Sequence, residues 1–327
     1  MKVEFPGFFD LQVNGFAGVD FNTPGCTPDQ WRHAIETLKS TGVTRFLATL
    51  ITSSFETFSR CARSVAAYGA PAIAGIHMEG PYIAPEDGPR GAHPREHVVA
   101  ASIDDFSRRQ DAALGRIVLV TLAPEARGAL DLIEHLVETG VRVAIGHTAA
   151  SPEQIRDAVS AGATLATHLG NGCAGQLPRH PNFLWEQLAC DQLYASFIAD
   201  GHHLPPATLK CMVRAKQPDR SILVTDATAA AGCRPGHYTM GEARLELSAD
   251  GCVSTPGVAG LAGSALSMPA AVFNTVRFTG LPIGEVLPMA STLPARYLGV
   301  EPAGRVSAEW DEENAALVID DVSLWPD

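Results

Sequence analysis

The sequence has no apolar run near the ~20 residues that cross a bilayer. Its first residues, Met-Lys-Val-Glu-Phe-Pro-Gly, lack the apolar stretch and small-residue cleavage site of a secretory signal. No membrane span is expected, and a cytoplasmic location is. Basic residues are scarce: 24 Lys and Arg stand against 36 Asp and Glu, a formal net charge of −12, with no basic cluster that locally reverses the sign. A chain this acidic repels nucleic acid and anionic membrane, so neither is an expected partner. An anionic small substrate would need local cations to hold it. The seven cysteines (Cys26, Cys61, Cys173, Cys190, Cys211, Cys233 and Cys252) are an odd number with no C-x-x-C spacing. That pattern argues for reduced thiols and against a disulfide framework or a cysteine zinc site. Also missing are a Pro/Gly/Ser-rich linker, a low-complexity segment and a G-x-G-x-x-G after the first strand, the last of which argues against a dinucleotide fold.

What is present is globular: 327 residues, 46% hydrophobic and 18% charged, enough for a sizeable core in one large domain or two ordinary ones. Strand candidates fall at 8–13, 43–51, 72–78, 116–122, 141–146, 163–168, 193–199 and 221–225. They read as near-continuous apolar runs, such as Arg116-Ile-Val-Leu-Val-Thr-Leu122, as strands buried on both faces do. Thr27-Pro28-Asp29 and Ser151-Pro152-Glu153 open helices with an N-cap and an N1 proline. Further helices are expected at 55–68, 96–113, 125–139, 183–189 and 205–216. Eight strands, each with a crossover, predict an α/β fold of the (β/α)8 TIM-barrel kind spanning about 8–226. Beyond it the pattern predicts a hairpin over 236–256, with Tyr238–Met240 and Leu245–Leu247 as strands and Asp250-Gly251 as a turn. Helices over 265–278 and 283–297 and a short strand at Ala315–Ile319 follow, all within one domain of 1–327.

Chemistry-bearing residues fall at the strand ends. Glu79 ends the third strand, His147 the fifth, His168 the sixth and Asp226 the eighth. In a parallel barrel these ends converge on one mouth, where barrel enzymes keep their active sites. Two imidazoles and a carboxylate make a three-ligand zinc site with an open fourth position for water, whose pKa such an ion lowers to about 7. Asp226, outside the ligand set, is placed to take that water's proton and deliver it to a leaving nitrogen. One divalent ion per chain is expected, zinc first, with iron and cobalt compatible with the same donors.

Several motifs then point to one family. Pro6-Gly-Phe-Phe-Asp10-Leu-Gln-Val-Asn-Gly15, His77-Met-Glu79-Gly-Pro81, Thr121-Leu-Ala-Pro-Glu125, Gly146-His147-Thr, Thr167-His168-Leu-x-Asn171, Ile198-Ala-Asp-Gly201, Leu223-Val-Thr-Asp226-Ala-Thr and Leu261-Ala-Gly-Ser-Ala265 occur in that order over nearly the whole chain. Together they resemble the N-acetylglucosamine-6-phosphate deacetylases, a branch of the amidohydrolase superfamily. The resemblance implies Glu79, His147 and His168 as metal ligands and Asp226 as the catalytic acid and base. Gln12-Val13-Asn14 stands where many amidohydrolases carry the His-x-His that holds a second metal, which implies a single ion. His93 is implied as the stabiliser of the acyl oxygen and His203 as a substrate histidine, while Asn171 and Gly172 lie in the substrate-binding segment. Arg179 matches a phosphate-binding arginine lent by the neighbouring subunit, which implies a homodimer.

The chain departs from the family pattern in three places. Residues 167–173 read Thr-His-Leu-Gly170-Asn171-Gly172-Cys173, without the family's aromatic residue and methionine. Leu177-Pro-Arg-His-Pro181 replaces the family's Gly-Arg-Glu-Pro-Gly. The accessory β-sandwich that members build from both chain ends is expected to be absent or reduced to about a strand. The expected activity is hydrolysis of the amide of an N-acetylated amino sugar, N-acetylglucosamine-6-phosphate first, to acetate and the free amine. The alternatives are a related hydrolase for another or an unphosphorylated N-acyl substrate, and a catalytically silent sugar-binding barrel.

Overall fold

A computed structural model describes residues 1–257, 260–313 and 316–324. Eight parallel strands (Phe8–Val13, Val43–Ile51, Ile73–Glu79, Ile117–Leu122, Arg142–Ile145, Leu165–Ala166, Tyr194–Phe197 and Ser221–Leu223) pair with one another in chain order. They are strands one to eight of the barrel. All six residues of strand one are buried, because one face packs inside the barrel and the other beneath helices. No ladder joins strand eight to strand one. The ring closes just beyond strand eight, where a parallel bridge links Val13 to Ala227 and the Ala227 carbonyl accepts from Asn14 N at 2.7 Å and Gly15 N at 3.2 Å. Below that bridge the buried Asp10 carboxylate accepts from Thr225 N (3.2 Å), Thr225 Oγ1 (2.5 Å) and Gln12 N (3.1 Å).

The helices cover the outside of the barrel, and local chemistry sets their ends. Pro28–Ser40 and Pro152–Ser160 each begin with a capping box, from Thr27 and Ser151. The helices expected over 125–139 and 265–278 begin late, at Ala129 and Met268, and two others differ further. The segment 96–113 opens on a single 3-10 turn, Arg95–His97, and becomes α-helical only at Ile103, where the Ser102 hydroxyl caps Asp105 N and Asp104 and Asp105 occupy the first turn. The expected 283–297 helix divides into Ile283–Ala290 and Thr292–Leu298 at Ser291. Pro294 has no N–H to offer the Ala290 carbonyl across that break.

A two-stranded hairpin, Gly15–Phe16 with Val19–Asp20, and two three-stranded sheets complete the strands of the described residues. The expected hairpin is a three-stranded meander, Gly236–Met240, Ala243–Leu247 and Val253–Ser254, with Asp250-Gly251 at its second turn. Met240, Leu245, Leu247 and Val253 pack with Ile51 and Ala262 in an apolar cluster separate from the main core. The terminal sheet corrects the expectation of about one strand: Lys2–Pro6, Arg305–Asp311 and Ala316–Ser323 form three antiparallel strands. Ala315, the expected start of the last of these, lies outside the described residues. Phe5, Val306 and Ala308 point inward while Glu4, Arg305 and Glu309 do not. Such period-two alternation is the signature of a half-buried strand, and a search for continuous apolar runs passes over it.

Candidate active site

Strand three delivers Glu79 as its last residue, and His147, His168 and Asp226 lie just past strands five, six and eight. His147 and Asp226 both have φ of +52° and His168 has +29°. Non-glycine residues seldom occupy that region, and surrounding structure must hold them there, as it often does at functional sites. Past these turns the three side chains line one cavity together with Glu79. His168 Nε2 lies 3.1 Å from Glu79 Oε1 and 3.1 Å from His147 Nε2, which is 3.3 Å from the same carboxylate oxygen. Donors bound tetrahedrally at ~2.0–2.2 Å from a zinc-sized ion stand about 3.3–3.6 Å apart, so these three atoms need little movement to share one.

The surroundings fix the ligand orientations. The Pro89 carbonyl accepts from His147 Nδ1 at 2.9 Å, which turns Nε2 toward Glu79. Gln12 Nε2 donates to Glu79 Oε1 at 2.8 Å. Burial raises the Glu79 pKa, but hydrogen bonds from both imidazoles outweigh it and hold the carboxyl well below the usual carboxylate range. Burial alone would lower His147, yet the bond to Glu79 reverses the shift upward. His77, one strand repeat below Glu79, bonds Leu11 O (3.1 Å) and Thr121 Oγ1 (2.7 Å), and burial lowers its pKa to about 4. It is a neutral structural imidazole and takes no part in the ligand set.

Asp226 and His93 flank the triad. Burial, helped by the Glu79 charge, pushes Asp226 up to about 7. Asn14 Nδ2 donates to Asp226 Oδ1 at 2.6 Å. His93 is buried with Nε2 3.8 Å from Glu79 Oε2. Its Nδ1 meets Thr52 Oγ1 at 2.8 Å and faces the Thr52 N–H at 3.4 Å, which assigns the ring proton to Nε2. Burial, with the neighbouring His147, pulls the His93 pKa down to about 3, so the ring is a neutral hydrogen-bond donor near pH 7.

These residues floor a cavity of about 770 Å³ that Asn171, Gly172, His203 and Arg90 also line. The Asn171 Nδ2 donor is buried without a partner among the described residues, as a group reserved for a ligand would be. Gly172 has φ of +55°, and a Cβ there would lie 2.9 Å from His147 Nδ1, so glycine lets this loop press against the ligand ring. At Gly170, a Cβ would meet Met212 Cε at 3.0 Å and Leu204 Cδ2 at 3.2 Å. Those two side chains occupy the space beside the missing aromatic residue. His203 Nδ1 bonds Asp200 Oδ2 at 2.6 Å. Arg179 is exposed and does not line the cavity of its own chain.

Sequence reasoning assigned no role to Asn14, Thr52, Pro89 or Arg90. The signal for Asn14 was the alternation of polar residues Asp10, Gln12 and Asn14 along and just past strand one. Arg90, which binds the His93 carbonyl at 2.6 Å and pairs with Asp87, sits in a loop without any spacing signal.

Comparison with known proteins gives a consistent result. A family model described as the amidohydrolase family matches residues 4–312. The N-acetylgalactosamine-6-phosphate deacetylase of Escherichia coli O157:H7 is 37% identical over 303 residues, 90% of this chain and 78% of that one. The human N-acetylglucosamine-6-phosphate deacetylase is 34% identical over 98% of this chain and 80% of its own length. Among solved structures, the N-acetyl-D-glucosamine-6-phosphate deacetylase of Mycobacterium smegmatis superposes with a TM-score of 0.90 at 30% identity, covering 98% of this chain and 86% of that one. A mutant of that enzyme, solved with N-acetyl-D-glucosamine-6-phosphate, gives the same TM-score.

Proposed function

The chain belongs to the amidohydrolase family, and from that premise we propose that it deacetylates an N-acetylated amino sugar 6-phosphate, N-acetylglucosamine-6-phosphate first, releasing acetate and the free amine. The observation that carries the reading is the convergence of Glu79 Oε1, His147 Nε2 and His168 Nε2 within 3.3 Å of one another on the cavity floor, with Asp226 beside them. A divalent ion held by these three, zinc by preference and iron or cobalt alternatively, would supply Lewis acidity and a water acidic near neutral pH. Asp226 takes a proton from the attacking water and returns it to the nitrogen as the C–N bond breaks. The neutral His93 donates from Nε2 to the acyl oxygen as that oxygen gains charge. His93→Gln is expected to lower kcat by about 10²-fold with KM little changed, in line with the loss of one oxyanion donor; steady-state kinetics reads this directly.

Asn171, the Gly172 backbone and His203 are assigned to the sugar and its substituents. Arg179 lies outside its own cavity, so its assigned role on the 6-phosphate requires a second copy and supports a homodimer. All seven cysteines are free, which supports a cytoplasmic location. A second reading, an unphosphorylated N-acyl substrate, is favoured by one observation. Arg90 is the one arginine or lysine lining the cavity among the described residues, and Asp87 and the His93 carbonyl already engage it.

Acetate release from phosphorylated and plain N-acetyl hexosamines separates the two readings. Arg179→Ala is expected to raise KM about tenfold or more for the phosphorylated sugar alone, the scale of one charge-assisted hydrogen bond. Equal rates with both sugars in the unaltered protein would defeat the phosphate role of Arg179.

A further inference from the structure

Two amides leave strand one toward two carboxylates. Gln12 Nε2 donates to Glu79, and two residues on, Asn14 Nδ2 donates to Asp226 Oδ1 at 2.6 Å. The backbone of Asn14 is held on both sides: its N–H goes to Ala227 O at 2.7 Å, and its carbonyl accepts from Phe21 N at 3.0 Å and Asn22 Nδ2 at 3.3 Å. Asn22 is itself anchored to Thr49 O at 3.1 Å and to Ile51 N at 2.8 Å. Turned over, the amide would set two oxygens against each other at the same short distance while Asp226 is ionised. Its Oδ1 is buried on the cavity wall without a partner among the described residues. The bond to Asp226 is therefore the side chain's single polar engagement among the described residues.

We propose that Asn14 is a positioning residue for amide hydrolysis: it ties up Asp226 Oδ1 and so makes Oδ2 the oxygen that moves the proton. This rests on the deacetylase reading. Oδ2 takes one proton from water as the water oxygen bonds to the acyl carbon. The same Oδ2 gives that proton to nitrogen as the C–N bond breaks, and the second water proton stays with the acid product. An untethered carboxylate would rotate between these two deliveries and reach each in the right geometry only part of the time.

The test is a cycle of four holoenzymes assayed on N-acetylglucosamine-6-phosphate: the natural chain, Asn14→Leu, Asp226→Glu and the double variant. Asp226→Glu keeps a carboxylate but moves it one methylene out of register with the amide. Asn14→Leu alone is expected to lower kcat about 30- to 100-fold, the scale seen for partners that orient site groups. KM should stay within about threefold, with the metal content unchanged. In the Asp226→Glu background the same change is expected to cost under about threefold, since residues that act through one another are not additive. Equal losses in both backgrounds, a rise in KM alone, or loss of the metal would overturn the inference. Should the leucine variant fail to fold, Asn14→Ser carries the same cycle. An unaltered chain that releases no acetate from this sugar or from N-acetylgalactosamine-6-phosphate defeats the deacetylase reading and the Asn14 role with it. An active chain with additive losses defeats the Asn14 role alone.

Discussion

Asp226→Asn is expected to lower kcat for acetate release by about 10³-fold, within the range a positioned general acid and base contributes, while KM and metal content stay close to those of the natural chain. The substitution is nearly isosteric, and the asparagine can still bond Asn14, so the barrel closure at Val13 and Ala227 should survive. What disappears is a group able to gain and lose a proton. The pH profile provides a second readout. Asp226 acts as a base only when ionised, so activity rises with pH as it loses its proton. Burial and the Glu79 charge delay that loss to about pH 7, and a divalent ion on Glu79 offsets that charge and draws the acid limb below 7. The limb should be absent from the residual activity of the asparagine variant. If kcat stayed within tenfold of normal, proton transfer would have to be assigned to another residue.

His147→Ala is expected to reduce bound divalent metal from about one ion per chain to a small fraction of that, and to take activity with it. Removing the imidazole leaves two donors where three converged within 3.3 Å, and the Pro89 carbonyl loses its partner. Elemental analysis after gel filtration measures the ion directly. Binding to the folded state alone adds about 2.7 kcal/mol at a hundredfold excess over Kd. A chelator should therefore lower the melting temperature of the natural chain by a few degrees and leave that of the alanine variant unmoved. A metal-free natural chain with full activity would sink the metal-dependent reading.

The barrel was legible because its strands are buried on both faces. Runs such as Ile117–Leu122 and Phe46–Ile51 stand out as near-continuous apolar stretches between capped helices. The ligand residues were legible because they interrupt that pattern where the strands stop. What stayed hidden depends on tertiary neighbours. The left-handed backbone at His147, His168 and Asp226 is imposed by the loops around them and has no local sequence signature. The Lys2–Pro6 strand pairs with residues some 300 positions away, and its alternating pattern is too short to register alone. The partnership of Asn14 with Asp226 is likewise a product of closing the ring.

That closure separates two properties usually measured together. Glu79 and His168 lie 89 positions apart in the middle of the chain, on strands that neighbour one another through strands four and five. Asn14 and Asp226 lie 212 positions apart and meet where the first strand finds the region beyond the last. Contacts that distant in sequence carry the greatest loop-closure cost and weigh on the folding rate. An intermediate with strands three to six in place would hold the metal donors before it held Asp226 against Asn14. Metal uptake then reports on the centre of the sheet, and turnover reports on the seam.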